Sequence, residues 1–395
     1  MPKSFQPHIL VFESRVEGHH LSWLRYVTED LLTAGFRLTL AVDWRPEAKE
    51  LIQKQLSELI NKVSVISIFN EVGKLYEGSK LKALAKCFNE SGAQEVFINN
   101  LDDIASHCLR CASIGIYPPK PLQGRLSGVY FRPRFLANPT WPPGNIIKAT
   151  GFRRLCRQRW FKNIFLMDEY LFANAKEKYT DTVFHFLPDP WDGNFSHSQK
   201  DARKTLGIPQ DRFVLLNYGI GDRRKGLHLT VQVMLESSPD SRLFLLCAGR
   251  ISKDRELLKG LSQLEERGMA KVLNRYVSDS EESLCFCASD VVLLPYIKHF
   301  GSSGVLSLSA AAGKMVITSD EGLVGQRVRK HNLGWLFRSG NAYELKKCMD
   351  NAALLTESEM SEFQQAALRY AKACSRQAFR NTLLSALKDI SISPA

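Results

Sequence analysis

The chain has 395 residues, more than one hydrophobic core usually organises, so two domains are expected. Hydrophobic residues make up 44% and charged residues 24%, which excludes a disordered or fibrous chain. The formal charge of +12 favours anionic partners: nucleotides, nucleic acid or an acidic membrane face.

Taken in chain order, short apolar runs recur, each followed by a helical pattern. They cover residues 8–14, 37–43, 63–69, 95–100, 127–131, 163–167 and 183–187, and then 212–218, 242–249, 271–277, 290–296, 314–319 and 333–337. Near-continuous apolar strands separated by helices indicate parallel sheets covered on both faces. The number of strands is too high for one ordinary open sheet, so two doubly wound domains are expected. Pro188, Pro190 and Gly193 mark a constrained join at 188–195. Beyond Trp335 only helical patterns remain, at about 341–354, 358–373 and 375–390.

The opening residues contain only a four-residue apolar run, which fits neither a signal peptide nor a membrane span. The nine cysteines have no framework spacing. Cys108 and Cys111 form a CxxC far in sequence from Cys285 and Cys287, so reduced thiols are favoured over a zinc site. A cytoplasmic location is expected.

In open parallel sheets ligands sit beyond the carboxyl ends of the strands, so the residues after each strand carry the functional reading. After the first strand, Gly18 permits a tight turn, and His19 and His20 are candidates for substrate binding or proton transfer. After the fourth, Asp102 suits a helix cap, and Asp103, with no evident local duty, is a candidate active-site acid. Arg132 and Arg134 after the fifth strand read as cleft cations or as salt-bridge partners.

The second half is more specific. "GIGDRRKG" (219–226) follows a strand and brings Arg223, Arg224 and Lys225 beside glycines, a set suited to phosphate oxygens. "FGSSGVLSLSAAAGK" (300–314) places Gly301, Ser302, Ser303, Gly304 and Val305 at a helix start. There free N–H groups and the positive end of the helix dipole favour an anion. Together the two loops suggest a diphosphate held from two sides. Glu321, just after a later strand, reads as an acceptor for ribose or sugar hydroxyls, or as a helix-start acid.

Residues 148–162, "KATGFRRLCRQRWFK", carry six basic side chains and no acidic ones, interleaved with Phe152, Leu155, Trp160 and Phe161. Three readings stand: a domain helix with a solvated basic face, an amphipathic face for anionic lipid, and, ranked last, nucleic acid.

These motifs resemble the GT-B glycosyltransferases, closest to the retaining group 1 family that uses nucleotide sugars. "GDRRKG" resembles that group's donor-diphosphate loop, "ASDVVLLPYI" its "ADVFVLPS" strand, and "GVLSLSAAAGKMVITSDEGLVGQRV" its "GLVLLEAMAAGLPVVATDVGGIPEIV" block. In the first half only the layout matches. The resemblance implies two Rossmann-like domains facing each other across a cleft: an acceptor domain over 1–187, a linker at 188–195, a donor domain over 196–373, and a helix from 374 onward returning to the first domain. It implies transfer from a UDP- or GDP-sugar to a carbohydrate or lipid-linked acceptor, with no cofactor and no metal, in the cytoplasm or peripherally at the inner membrane face. The group's E-x7-E glutamates, on the donor sugar and its ribose, are absent, because Phe300 and Leu308 occupy those positions. A nucleotide-sugar epimerase and a non-enzymatic sugar- or partner-binding descendant are the alternatives.

Overall fold

The computed structural model of the chain describes residues 6–388, apart from the side chains of His19 and Glu77. It divides into two compact units: residues up to Leu187 together with the segment from Phe379, and Pro188–Ala378.

The first unit is a seven-stranded parallel sheet in the order β3-β2-β1-β4-β5-β6-β7. Its strands are β1 His8–Glu13, β2 Arg37–Val42, β3 Ser64–Ser67, β4 Glu95–Ile98, β5 Leu126–Tyr130, β6 Phe161–Leu166 and β7 Val183–Phe186. The second unit is a six-stranded parallel sheet in the order β10-β9-β8-β11-β12-β13. Its strands are β8 Phe213–Tyr218, β9 Leu243–Ala248, β10 Ala270–Leu273, β11 Val291–Leu294, β12 Met315–Ser319 and β13 Gly334–Phe337. Every apolar run read from the sequence is a strand, and both sheets are doubly wound, as expected.

The central strands are buried on both faces, β1 and β9 along their whole length, which explains their unbroken apolar sequence. The edge strands β3 and β13 are less buried and mix in polar or small residues. In both units the strand order reverses beside the first strand, between β1 and β4 and between β8 and β11. That reversal opens a crevice at the carboxyl ends of those strands.

The helix His19–Thr33 packs Leu24, Val27 and Leu31 into the core on one face of the first sheet. Phe379, Leu383 and Leu387 of the helix Arg376–Leu387 join that core, with Phe379 edge-on to Trp23 at 5.2 Å. Residues 188–195 are part of the second unit, where the Trp191 indole N–H donates to the Ala371 carbonyl at 2.9 Å.

The helix Pro143–Arg157 fits the first of the three readings, a domain helix with a solvated basic face. Phe152 and Leu155 are fully buried, and Trp160 and Phe161 nearly so. They pack in the first unit's core and do not form a lipid-facing side. Gly151 lets this helix sit against Asp102–Ser113, since a Cβ at 151 would collide with the Leu109 carbonyl. Arg153, Arg154 and Arg157 remain exposed. No helix among the described residues is long and apolar enough to cross a membrane. Cys108 and Cys285 are buried, which pushes each thiol up to about 12, and among the described residues no cluster of metal-ligating side chains occurs.

Candidate functional site

In the second unit the crevice between β8 and β11 is lined by the two loops singled out in the sequence. The loop after β8 turns at Asp222, whose Oδ1 accepts from the Lys225 amide at 2.6 Å. Gly226 then opens the helix Leu227–Glu236 with a positive φ of 73°. A Cβ at Gly226 would strike the Pro295 carbonyl, so only glycine lets this loop approach the end of β11 so closely. The Ile297 amide donates to the Arg224 carbonyl at 2.9 Å, which stitches the two loops together.

The three cations separate. Arg223 donates through Nε to Asp254 at 2.7 Å and through Nη2 to Glu256 at 3.0 Å. These acids belong to the turn that opens the helix after β9, so Arg223 is drawn away and its charge is matched. Arg224 Nη1 lies 3.2 Å from His299 Nδ1. Lys225 Nζ lies 3.8 Å from the centroid of the Tyr296 ring. Both therefore point at the loop after β11.

That loop leads into the helix Gly304–Ala311, whose N-cap residue is Ser303. The Ser303 hydroxyl makes no cap; it lies 3.0 Å from the buried Tyr296 hydroxyl. Ser302 Oγ donates to Asp189 Oδ2 at 3.0 Å and accepts from Arg327 Nη1 at 2.7 Å. Both hydroxyls are thus engaged within the protein, Ser302 by the Pro-rich stretch 188–190 that passes beneath the helix tip and Ser303 by Tyr296. Asp189 lies 4.0 Å from the position of a Cβ on Gly304, a placement the helix dipole favours for a carboxylate. Burial pushes its carboxyl up, against the pull of the Ser302 hydrogen bond and of the Arg327 and Lys225 charges. Two cations act on this one buried acid. Around Gly301 a Cβ would meet only open space. The N–H groups of the first helical turn, through Val305, have no partner within the helix by geometry.

Glu321 precedes the helix Gly322–His331, and its Oε2 accepts from the Lys298 amide at 3.2 Å. Lys298 has a left-handed φ of 51°, an uncommon conformation for a side-chain-bearing residue. The two E-x7-E positions hold an exposed Phe300 and a core-packed Leu308. Asp189, Tyr296 and Arg327 were not singled out in the sequence. The acid in "PDPWD" was the available signal, but no local spacing ties it to a helix more than a hundred residues away.

In the first unit the crevice between β1 and β4 holds a compact polar cluster. Glu13, at the end of β1, accepts from the Arg15 amide at 2.9 Å and from Asn99 Nδ2 at 2.7 Å, and its Oε2 lies 3.0 Å from His20 Nδ1. All three side chains are buried. A carboxylate at Nδ1 fixes the ring's tautomer and presents Nε2 as the acceptor nitrogen. Gly18 turns the chain into the helix with φ 59°. The His19 side chain lies outside the described residues.

Asp103 is not brought to this cluster. Its carboxylate receives Ser14 Oγ at 2.5 Å, Lys80 Nζ at 3.0 Å and Arg15 Nη2 at 2.6 Å. Burial pushes its carboxyl up, but the hydrogen bonds from Ser14 and Lys80 and the Lys80 charge prevail and hold it below the usual range. It ties three segments together. Asp102 departs from the capping expectation: it accepts from the Phe131 amide at 2.8 Å and the Arg132 amide at 3.1 Å, bracing the loop after β5. Burial pushes its carboxyl up to about 6.

The geometry described so far is that of a GT-B fold with a basic loop and a helix tip at the switch point of its second unit. Residues 198–370 match the family described as glycosyl transferases group 1, so the resemblance carried by the second half of the sequence is shown there. Solved structures agree on the fold. A glycosyltransferase from Rickettsia africae ESF-5 is 13% identical with a TM-score of 0.68, over 98% of this chain and 100% of that one. Sucrose-phosphate synthase from Thermosynechococcus elongatus is 13% identical with a TM-score of 0.70, over 98% and 99%. Anabaena HepE in complex with UDP is 14% identical with a TM-score of 0.68, over 98% and 100%. No curated protein sequence matches the chain as a relative.

Proposed function

We propose that the chain is a glycosyltransferase moving a sugar from a nucleotide-diphosphate sugar to a carbohydrate or lipid-linked acceptor, in polysaccharide or glycoconjugate synthesis. The single observation that carries this reading is the convergence of Arg224, Lys225 and the Gly304–Ala311 helix tip, stitched together by the Ile297–Arg224 hydrogen bond. Cleavage of the bond between the anomeric carbon and the diphosphate oxygen leaves negative charge on the diphosphate. Arg224, Lys225 and the N–H groups of Gly304 and Val305 stabilise that charge as it develops. Gly301 keeps the approach open, and Glu321 would serve a ribose or sugar hydroxyl on giving up the Lys298 amide. Arg223 is left out of this assignment because Asp254 and Glu256 engage it.

The Glu13–His20 pair gives the first unit an oriented imidazole for an acceptor or sugar hydroxyl. UDP-sugars are the first donors to test, since HepE is described in complex with UDP and with UDP-glucose; GDP-sugars come next. The resemblance favours retention at the anomeric carbon, and the protein cations at the diphosphate favour turnover without a metal. The exposed arginines 153, 154 and 157 continue into exposed Trp141, Ile146 and Ile147, a surface suited to the anionic inner membrane face.

The test is binding and turnover. Thermal-shift and calorimetric screening of UDP, GDP, ADP and their sugars should find one nucleotide diphosphate that binds, and its sugar should be transferred once an acceptor is supplied, with EDTA present or absent. Donor converted to an isomer without acceptor would make the chain an epimerase. Nucleotide bound but its sugar never cleaved would make it a non-enzymatic descendant. Replacing Arg153, Arg154 and Arg157 with Glu should reduce sedimentation with anionic liposomes.

A further inference from the structure

We infer that Tyr296 is a positioning residue for the diphosphate: its ring holds the Lys225 ammonium ready for a phosphate while its hydroxyl fixes the helix tip. The inference rests on the donor-binding reading above. Three observations meet at this side chain. The Lys225 Nζ stands 3.8 Å from the ring centroid. The phenol oxygen is 3.0 Å from Ser303 Oγ, at the N-cap of the Gly304–Ala311 helix. The His299 ring, which meets Arg224, packs edge-on at 4.8 Å. Tyr296 is buried, so its ring is a fixed floor.

The chemistry of the contact matters as much as its place. A carboxylate partner would cancel the ammonium charge and compete with a phosphate for its N–H donors, as Asp254 and Glu256 do at Arg223. A π face attracts the cation without supplying a full negative charge and accepts no strong hydrogen bond. Among the described residues Lys225 Nζ forms no salt bridge; the buried Asp189 acts on its charge only through space, so the ammonium is ordered and keeps its N–H donors for a phosphate. The basic turn and the helix tip are also coupled through one rigid ring, which fixes the separation at which a diphosphate must bridge them.

Calorimetric titration of the full-length chain with UDP, GDP, ADP and the matching nucleosides tests this. For whichever diphosphate the wild type binds, Tyr296→Leu should raise Kd about tenfold, leave the nucleoside affinity unchanged, and lower kcat/KM mainly through KM. Tyr296→Phe, which keeps the ring face, should recover most of that loss. Equal weakening of diphosphate and nucleoside would show a merely structural role and overturn the inference, as would an unchanged Kd in Tyr296→Leu. If the wild type binds no nucleotide diphosphate, the donor-binding reading falls and the inference with it.

A measurement on the wild type covers the case in which Tyr296→Leu does not fold. With lysines reductively dimethylated with carbon-13, the Lys225 methyl signal, assigned by its loss in Lys225→Arg, should lie upfield in the ring current of Tyr296 and move downfield as diphosphate is added. A Lys225 signal at the ordinary lysine position overturns the inference.

Discussion

Ser302 stands between opposite charges: its hydroxyl donates to the Asp189 carboxylate at 3.0 Å and accepts from the Arg327 guanidinium at 2.7 Å. The contact joins the Pro-rich stretch after β7 to the helix tip and to the helix Gly322–His331. Asp189→Ala removes a buried carboxylate that offsets Arg327 and Lys225, and should destabilise the protein by about 3 kcal/mol. Asp189→Asn keeps an acceptor for Ser302 and should cost about 1 kcal/mol. Urea denaturation of the two variants checks the order, which would be wrong if Asn proved as harmful as Ala.

Arg223 and Lys225 are two residues apart and should behave in opposite ways. Arg223 is exposed and engaged by Asp254 and Glu256, so Arg223→Ala should change nucleotide-diphosphate affinity by no more than about twofold. Lys225→Ala should weaken it by at least about tenfold, the usual loss for a charge-assisted contact. Calorimetry with the same nucleotide compares them directly. Equal losses would mean that Arg223 leaves its acids when ligand arrives.

The Glu13 contact predicts a kinetic effect separable from stability. Glu13→Gln should still bond the Arg15 amide but hold the wrong His20 tautomer, lowering kcat about a hundredfold, the lower range for loss of a positioned proton-transfer group. The pH–rate profile should move with it. A variant with normal kcat and an unaltered profile would remove His20 from the chemistry and leave the cluster a structural tie.

Asp102 predicts a stability change with pH. Its carboxyl stands at about 6 against an ordinary 3.8. The folded state holds the proton more tightly, so this group's contribution is fully present below about pH 4 and is lost as pH rises through about 6. Two units of difference amount to about 3 kcal/mol. Asp102→Asn should therefore lose this dependence, and melting curves of both proteins from pH 4 to 7 should converge or diverge accordingly. Parallel curves would count against the shift. The neighbouring Asp103 has the opposite sign: its carboxyl is held down, so its contribution is lost on acidification.

The strands, their parallel order and the division into two doubly wound halves were legible in the sequence, because a strand buried on both faces must be apolar along its length whatever its neighbours are. The cations at 223–225 and the small residues before the helix at Gly304 were legible for a similar reason: charge and bare backbone are written in residue types and short spacings. What the tertiary structure alone decided was which polar groups meet. Local sequence does not reveal that Asp254 would draw Arg223 away, or that Asp189 would lie beneath the helix tip. Those outcomes depend on contacts between residues far apart in the chain, and a charged side chain carries no local mark of which distant partner the fold will bring to it.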